Sequence, residues 1–429
     1  MVVALPPSLQ GPDGLARLEQ LAETYGTPLQ LYDEKMIRDN ARHLLSTFRA
    51  RFPTFTEFYA VKALPNPAVL KVLFQEGCGF DCSSTAELFI CKQLGVPGDK
   101  IIYTSNFTSK EDLAEAYDMG VIMNLDDVSL VDALVDVRGR CPDLMCFRLN
   151  PGLGRTDSET KSNVLGGPDA KFGVPPFQIV EAYRKAQAAG ATRFGIHMMT
   201  GSCVMNNEYW KETVTVLYNT AMQIKQELGI TFEFMNIGGG LGIPYLPDQA
   251  PVDLDSVVAL LRQSFDELMA AHGNTTMPQL CMENGRYMTG PFGWLVSRCQ
   301  AIKQSYAKYY GLDASMAHLM RPGMYGAYHH ITVPARDVAD APLVKAHVVG
   351  NLCENNDWFG KDRALPEARV GDLFVIYDTG AHSHSMCFQY NGKTRSPEVL
   401  LAADGTPRLI RKRETYDALY GNCVMPTDL

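Results

Sequence analysis

Five short stretches place a reactive side chain, or a run of glycines, where a β-prone segment runs out. They are Lys62 in YAVKA, Asp81 in FDCSS, His197 in GIHMM, Gly238, Gly239 and Gly240 after EFMNI, and Glu283, Gly285 and Arg286 in ENGR. A lysine amine in a partly apolar pocket is expected to have its pKa lowered by desolvation, which makes it a nucleophile able to form a Schiff base with an aldehyde. Consecutive glycines offer backbone N–H groups with no side chain in the way, a geometry that suits a phosphate. A carboxylate such as Glu283 beside a pyridine nitrogen would keep that nitrogen protonated, so that the ring could act as an electron sink for carbanion chemistry. Taken singly, each has a plainer explanation: a surface lysine, a satisfied core histidine, a tight turn. Their convergence is what points to chemistry.

The elements that must position these residues are readable from the pattern. Eight β-prone runs begin at Glu57, Gly79, Ile101, Gly120, Leu144, Arg193, Glu233 and Gln279, and helical stretches such as PAVLKVLFQEG, SKEDLAEAYDMG and PPFQIVEAYRKAQAAG lie between them, each ending at glycine. This alternation predicts an α/β fold, a parallel (β/α)8 barrel over 36–288, with an open doubly wound sheet as the alternative. The carboxyl ends of barrel strands are where an active site gathers, and the five stretches fall there. Beyond about residue 290 the runs PLVKAHVVGNLC and DLFVIYDTG and the pair Asn391-Gly392 predict a β-rich domain over 289–429. The polar, glycine-rich stretch GLGRTDSETKSNVLGGPDAKFG is expected to be a mobile loop near the site.

Composition narrows the class. With 46% hydrophobic and 20% charged residues the chain is of ordinary globular make-up, and no apolar run reaches membrane-spanning length. The amino terminus lacks a signal-peptide pattern, so a cytoplasmic location is expected. A net charge of −9 without a long basic run argues against a nucleic-acid or anionic-membrane surface and for a small-molecule partner. The 11 cysteines show no paired CxxC spacing, which argues against a disulfide framework or a structural zinc site.

The motifs YAVKA (59–63), FDCSSTAEL (80–88), GIH (195–197), GGGLGIPY (238–245), ENGR (283–286), RPGMYGAYHH (321–330), CENND (353–357) and DTGAH (378–382) together resemble the fold type III pyridoxal-phosphate decarboxylases. The resemblance runs through nearly the whole chain and is nearest to the diaminopimelate branch. It implies pyridoxal 5'-phosphate as cofactor and a β domain that takes in residues 1–35 as well as 289–429. Lys62 resembles the covalent lysine, His197 the histidine stacked on the cofactor ring, Glu283 the carboxylate at the ring nitrogen, and Asp81 a supporting acid. Gly238, Gly239, Gly240 and Gly285 resemble the phosphate loops. Cys353 and Glu354 resemble a pair that a neighbouring subunit inserts into the site, with Cys353 as the acid that reprotonates the carbanion, which implies a homodimer with shared active sites. An exposed thiol without a role is the plainer alternative.

Three departures from the family pattern stand out. His382 occupies the place of a common phosphate-binding tyrosine, Asn284 replaces the proline of an EPGR motif, and HMMTGSC differs from HIGSQ, so that Thr200 and Ser202 are both candidate phosphate contacts. A distal carboxylate on the substrate asks for a guanidinium fork, and Arg286, Arg321 and Tyr325 match the family's carboxylate clamp. The implied reaction is decarboxylation of meso-2,6-diaminopimelate at its D-configured centre, giving L-lysine and carbon dioxide. Alternatives are an ornithine, lysine or arginine decarboxylase of polyamine synthesis, for which Asp357 could supply an acidic pocket, and a non-catalytic regulatory homologue. A metal site at His329, His330, His382 and His384 is set aside, because no strand-end carboxylate completes a ligand set.

Overall fold

The computed structural model describes residues 3–154, 165–337 and 340–429, and the chain divides into two compact units. One comprises Arg38–Ile243 and Pro251–Met288; the other comprises Met1–Ile37, Pro244–Ala250 and Thr289–Leu429. In chain order the first strand, β1 (Leu29–Asp33), is followed by eight that close into a parallel barrel: β2 (Thr56–Ala60), β3 (Gly79–Cys82), β4 (Ile101–Tyr103), β5 (Ile122–Leu125), β6 (Leu144–Leu149), β7 (Arg193–Met198), β8 (Phe232–Asn236) and β9 (Gln279–Met282). Closure is made where Thr56 of β2 pairs with Cys281 of β9. The eight runs anticipated from the sequence are these eight strands.

Local chemistry sets the connections. Asn66, Ser84 and Ser109 each cap the helix that follows by accepting a backbone N–H, and the helix Pro176–Ala188 opens on a proline whose missing N–H costs nothing there. Phe58, Ile102, Cys146, Phe234 and Cys281 pack together as a buried apolar cluster among the strands. Of the glycine-rich stretch expected to be mobile, residues 155–164 lie outside the described residues. Its following part is tied down: Asn150 donates to the carbonyls of Gly167 and Phe172, and Gly173 N–H donates to Asp126.

The second unit is a mixed sheet whose strands are β1, β10 (Gly293–Gln304), β11 (Lys308–Leu312), β12 (Ile331–Thr332), β13 (Leu343–Val349), β14 (Trp358–Pro366), β15 (Leu373–Ile376), β16 (Glu398–Leu401) and β17 (Pro407–Arg411). The amino-terminal strand β1 is interior to this sheet, antiparallel to β10 on one side and parallel to β16 on the other. Leu29 and Leu31 are fully buried with Trp294, Val296, Val375 and Val399, so the first residues of the chain complete the core of its last third.

Candidate active site

Lys62 lies in a short 3-10 turn, Val61–Ala63, just after β2; the strand itself stops at Ala60, two residues earlier than the sequence pattern suggests. The turn forms because Leu64 N–H reaches back to the Val61 carbonyl, while Ala60 N–H is taken by the Asn284 carbonyl after β9. Register places Ala60 beside Asp81 on β3, and the Lys62 ammonium donates to Asp81 Oδ2 at 2.6 Å. The Lys62 side chain is ringed by protein, yet 51% of its surface is open to solvent, whereas Asp81 is buried. The expectation of a lowered lysine pKa is corrected here. Burial does oppose the charge, but the Asp81 carboxylate, with Glu283 and Glu87 behind it, outweighs burial and holds Lys62 above the ordinary lysine value. For Asp81 burial wins, and its carboxyl is pushed up despite the lysine.

A second network lies on the far strands. Arg148, His197 and Asn236 are in register across β6, β7 and β8, and Glu283 follows β9. His197 Nε2 donates to Glu283 Oε2 at 3.1 Å and Asn236 Nδ2 to Glu283 Oε1 at 2.7 Å, all three residues being buried. Burial opposes the Glu283 charge; the facing His197 imidazole, Lys62 and Arg148 overcome it and hold the carboxyl below the usual glutamate value. Glu283 is thus an anion buried in the barrel.

The glycine run leaves β8 between these groups. Gly238 N–H donates to Asn236 Oδ1 and Gly239 N–H points at the Met199 sulfur, so two of the three expected phosphate donors already have partners inside the fold. A side chain at Gly239 would overlap the Glu283 carbonyl, and Gly240 adopts φ +114° against the carbonyl of Gly201. Gly285 passes the lysine turn so closely that a Cβ would lie 2.7 Å from that of Ala63. Val204 N–H bonds the Gly240 carbonyl, which brings the TGSC stretch against the run. There the buried Thr200 hydroxyl shares a 2.8 Å hydrogen bond with Tyr209, while Ser202 is half-buried. Arg286 is buried at the start of the short helix Arg286–Thr289.

The other candidates belong to the second unit. Arg321 and Tyr325 stand at the two ends of a one-turn helix, Arg321–Tyr325. The buried Arg321 donates through Nη1 to the Tyr245 hydroxyl and to His329 Nε2, both at 2.8 Å, and its guanidinium lies 4.7 Å from the Tyr245 ring centre. His329 Nδ1 donates to the Tyr377 carbonyl, which leaves Nε2 as the acceptor. Cys353 and Glu354 are exposed. Asp357 is buried and accepts the backbone N–H groups of Met316 and Leu352, which occupies the acid an ornithine pocket would need. His382 is half-buried with φ +54°, and His384 is buried against the Ser396 carbonyl. Among the described residues no group of three or more His, Cys, Asp or Glu could hold a metal ion.

Sequence reasoning missed Arg148, Asn236, Asn124 and Asp126, all buried polar residues at the ends of β5, β6 and β8. Their signal was a polar residue inside an apolar run, as in CFRLN, FMNI and IMNLDD.

Pyridoxal phosphate fits these residues. An amine open to solvent would anchor its aldehyde, a buried carboxylate would meet its ring nitrogen, and the glycine run with the TGSC stretch would lie along its phosphate. Among the described residues Asp81 Oδ1 and His197 Nδ1 are buried polar atoms without a hydrogen-bond partner, polar capacity that the protein itself does not satisfy.

Comparison with known proteins agrees. Residues 38–290 match the family model described as pyridoxal-dependent decarboxylase, pyridoxal binding domain. Protein TabA of Pseudomonas amygdali pv. tabaci is 41% identical over 400 residues, covering 93% of this chain and 92% of that protein. Diaminopimelate decarboxylase of Methanothermobacter thermautotrophicus is 38% identical over 418 residues, covering 97% and 96%. The crystal structure of diaminopimelate decarboxylase from M. jannaschii in co-complex with L-lysine superposes with a TM-score of 0.89 at 30% identity, over 100% of this chain and 99% of that one. Barrel, buried acid, open lysine and these relatives lead to one conclusion: the chain belongs to the pyridoxal-dependent decarboxylases.

Proposed function

We propose that this enzyme decarboxylates meso-2,6-diaminopimelate at its D-configured carbon to give L-lysine and carbon dioxide. The observation that carries the substrate choice is Arg321, a buried guanidinium steadied by Tyr245 and His329, a cation fit for a distal carboxylate. The relatives named diaminopimelate decarboxylase support the same reading. The engagement of Asp357 with backbone N–H groups weighs against a diamine-forming enzyme, whose substrate offers an ammonium at that end.

When bound, pyridoxal phosphate supplies the electron sink for the pair left on carbon as the carboxylate departs. Lys62 would anchor its aldehyde, and Asp81, which takes the free ammonium's hydrogen bond, would orient that side chain. Glu283, kept ionised by its partners, would hold a proton at the ring nitrogen, and the buried His197 would be the residue to stack on the ring. Arg286, Arg321 and Tyr325 bind the distal amino-acid head. Glycines 238, 239, 240 and 285 would leave room for the phosphate, with Thr200, Ser202 and His382 as further candidate contacts. Cys353 and Glu354, exposed on their own chain, act in the site of a second copy, Cys353 returning the proton to carbon; the working unit is then a homodimer in the cytoplasm.

The test is carbon dioxide release across meso-diaminopimelate, ornithine, lysine and arginine. Meso-diaminopimelate should be preferred, and Arg321→Ala should lower its kcat/KM by at least about 100-fold, since a charge-assisted contact in a dry site is worth roughly 3 kcal/mol. Arg321→Lys should recover only part of this, an ammonium lacking the two-pronged fork. Preference for ornithine or lysine, or an Arg321→Ala enzyme with intact kinetics, would reverse the assignment.

A further inference from the structure

Asn284 makes more contacts than a residue following a catalytic acid needs. Its backbone N–H donates to Glu57 Oε1 at 2.6 Å and its Nδ2 to Glu57 Oε2 at 3.0 Å. Its Oδ1 accepts the N–H of Leu241, the residue after the glycine run, at 3.2 Å, and its carbonyl accepts Ala60 N–H, two residues before Lys62. Glu57 and Asn284 are both completely buried. The two faces of one amide thus meet opposite partners: the NH2 end faces a carboxylate and the oxygen faces a peptide N–H, which fixes which way it points. The run is tied at its start as well, by Asn236 to Gly238 N–H and by Glu283 N–H to the Gly238 carbonyl; at its far end Val204 bonds the Gly240 carbonyl and the Gly242 N–H, and Asn284 adds the side-chain restraint on Leu241. Burial pushes the Glu57 carboxyl up to about 8, while the two Asn284 N–H groups pull it back. Both oxygens of this costly buried acid accept from Asn284, and Asn284 in turn holds the loop.

We propose that Glu57 and Asn284 act together as positioning residues that hold the 238–240 run for the phosphate group of the cofactor. This rests on the reading of that run as the phosphate cradle, and the test separates the two. The bonds can be exchanged isosterically: in Glu57→Gln/Asn284→Asp the glutamine NH2 donates to one aspartate oxygen, the other still accepts Leu241 N–H, and the backbone N–H of position 284 still meets the glutamine oxygen. Above about pH 8, where Glu57 is ionised, Asn284→Asp alone sets two carboxylates against each other, so the affinities are compared at about pH 9.

Dissociation constants of pyridoxal 5'-phosphate and of pyridoxal, which lacks the phosphate, are to be measured on cofactor-stripped protein. Asn284→Asp should weaken the phosphate form about tenfold or more, the equivalent of one or two lost hydrogen bonds, and leave pyridoxal within about twofold. The double variant should return the phosphate form to within about threefold of wild type. Unchanged affinity in Asn284→Asp, or a double variant that is not rescued, overturns the positioning role. Equal weakening of both ligands sinks the phosphate-cradle reading itself. Should Asn284→Asp fail to fold, Asn284→Ala, which keeps the backbone bond to Glu57 and loses both side-chain bonds, is held to the same expectation.

Discussion

The two ends of the barrel are made by the same eight strands and spend their residues in opposite ways. At the amino ends a cavity of about 620 Å³ opens among Thr56, Ile122, Leu144, Arg193 and Gln279, with the apolar Phe58, Phe234 and Cys281 among its walls. Its charges are satisfied at the surface: Arg193 grips Glu233 with two bonds of 2.7 Å, and Arg140 pairs with Asp143. At the carboxyl ends Lys62, Asp81, Glu283, His197 and Arg148 are gathered, and among the described residues Asp81 Oδ1 and His197 Nδ1 have no hydrogen-bond partner. An open hollow with satisfied charges has nothing left to do chemistry with. Unspent polar capacity, rather than volume, marks the working end.

The sharpest way to break this contrast is Lys62→Ala. It should lower turnover by at least about 1,000-fold and abolish the visible absorption of the lysine-bound cofactor, because anchoring and substrate exchange both pass through that amine. Near-normal activity would remove the assignment of the site. Next comes Glu283→Gln, expected to cost about 100-fold in kcat at saturating cofactor, since an amide cannot hold a proton at the ring nitrogen; a change under threefold would mean that the buried acid serves only the fold.

The third prediction concerns pH. Glu57 is raised from the ordinary 4.5 to about 8 by burial, so the native state keeps a proton that the unfolded chain gives up. Its contribution to stability is complete below about pH 4.5 and is lost as pH rises through about 8, at up to about 1.4 kcal/mol per pH unit. Urea unfolding between pH 5 and 9 should show this decline, and Glu57→Gln should flatten it; identical slopes would place the titrating group elsewhere. The smallest effect belongs to the amino end. Arg193→Ala removes an exposed ion pair and should change stability by less than about 1 kcal/mol and kcat/KM by less than about twofold. A large loss of activity there would undo the distinction between the ends.

Much of the site was legible because its residues are chemically unusual for where they stand. A lysine, a triple glycine and a glutamate each end an apolar run, and eight such runs can close only in a few ways. The sign of the Lys62 shift was not legible, because it depends on strand register setting Asp81 opposite Ala60 and so within reach of Lys62, 19 residues away in sequence. Arg148 and Asn236 were only half legible: a polar residue inside an apolar run marks them, but in a short strand nothing local says which face turns inward. The partition of Tyr245 was equally hidden, since Pro244–Ala250 follows the glycine run in sequence yet belongs to the unit that holds Arg321.

The pairing of β1 with β16 sets a timetable for synthesis. A strand ending at Asp33 must wait for its parallel neighbour, which begins at Glu398, and at 5–20 residues per second that interval is roughly 20 to 70 s. During that wait the whole barrel sequence, Arg38 to Met288, leaves the ribosome with its strands contiguous and able to close. Leu29 and Leu31 meanwhile lack the part of their cover that Val399 and Leu401 supply. A nascent chain halted between residues 304 and 398 would therefore have β10 available on one side of β1 and the other side open, the kind of edge that chaperones bind and that aggregates when they do not.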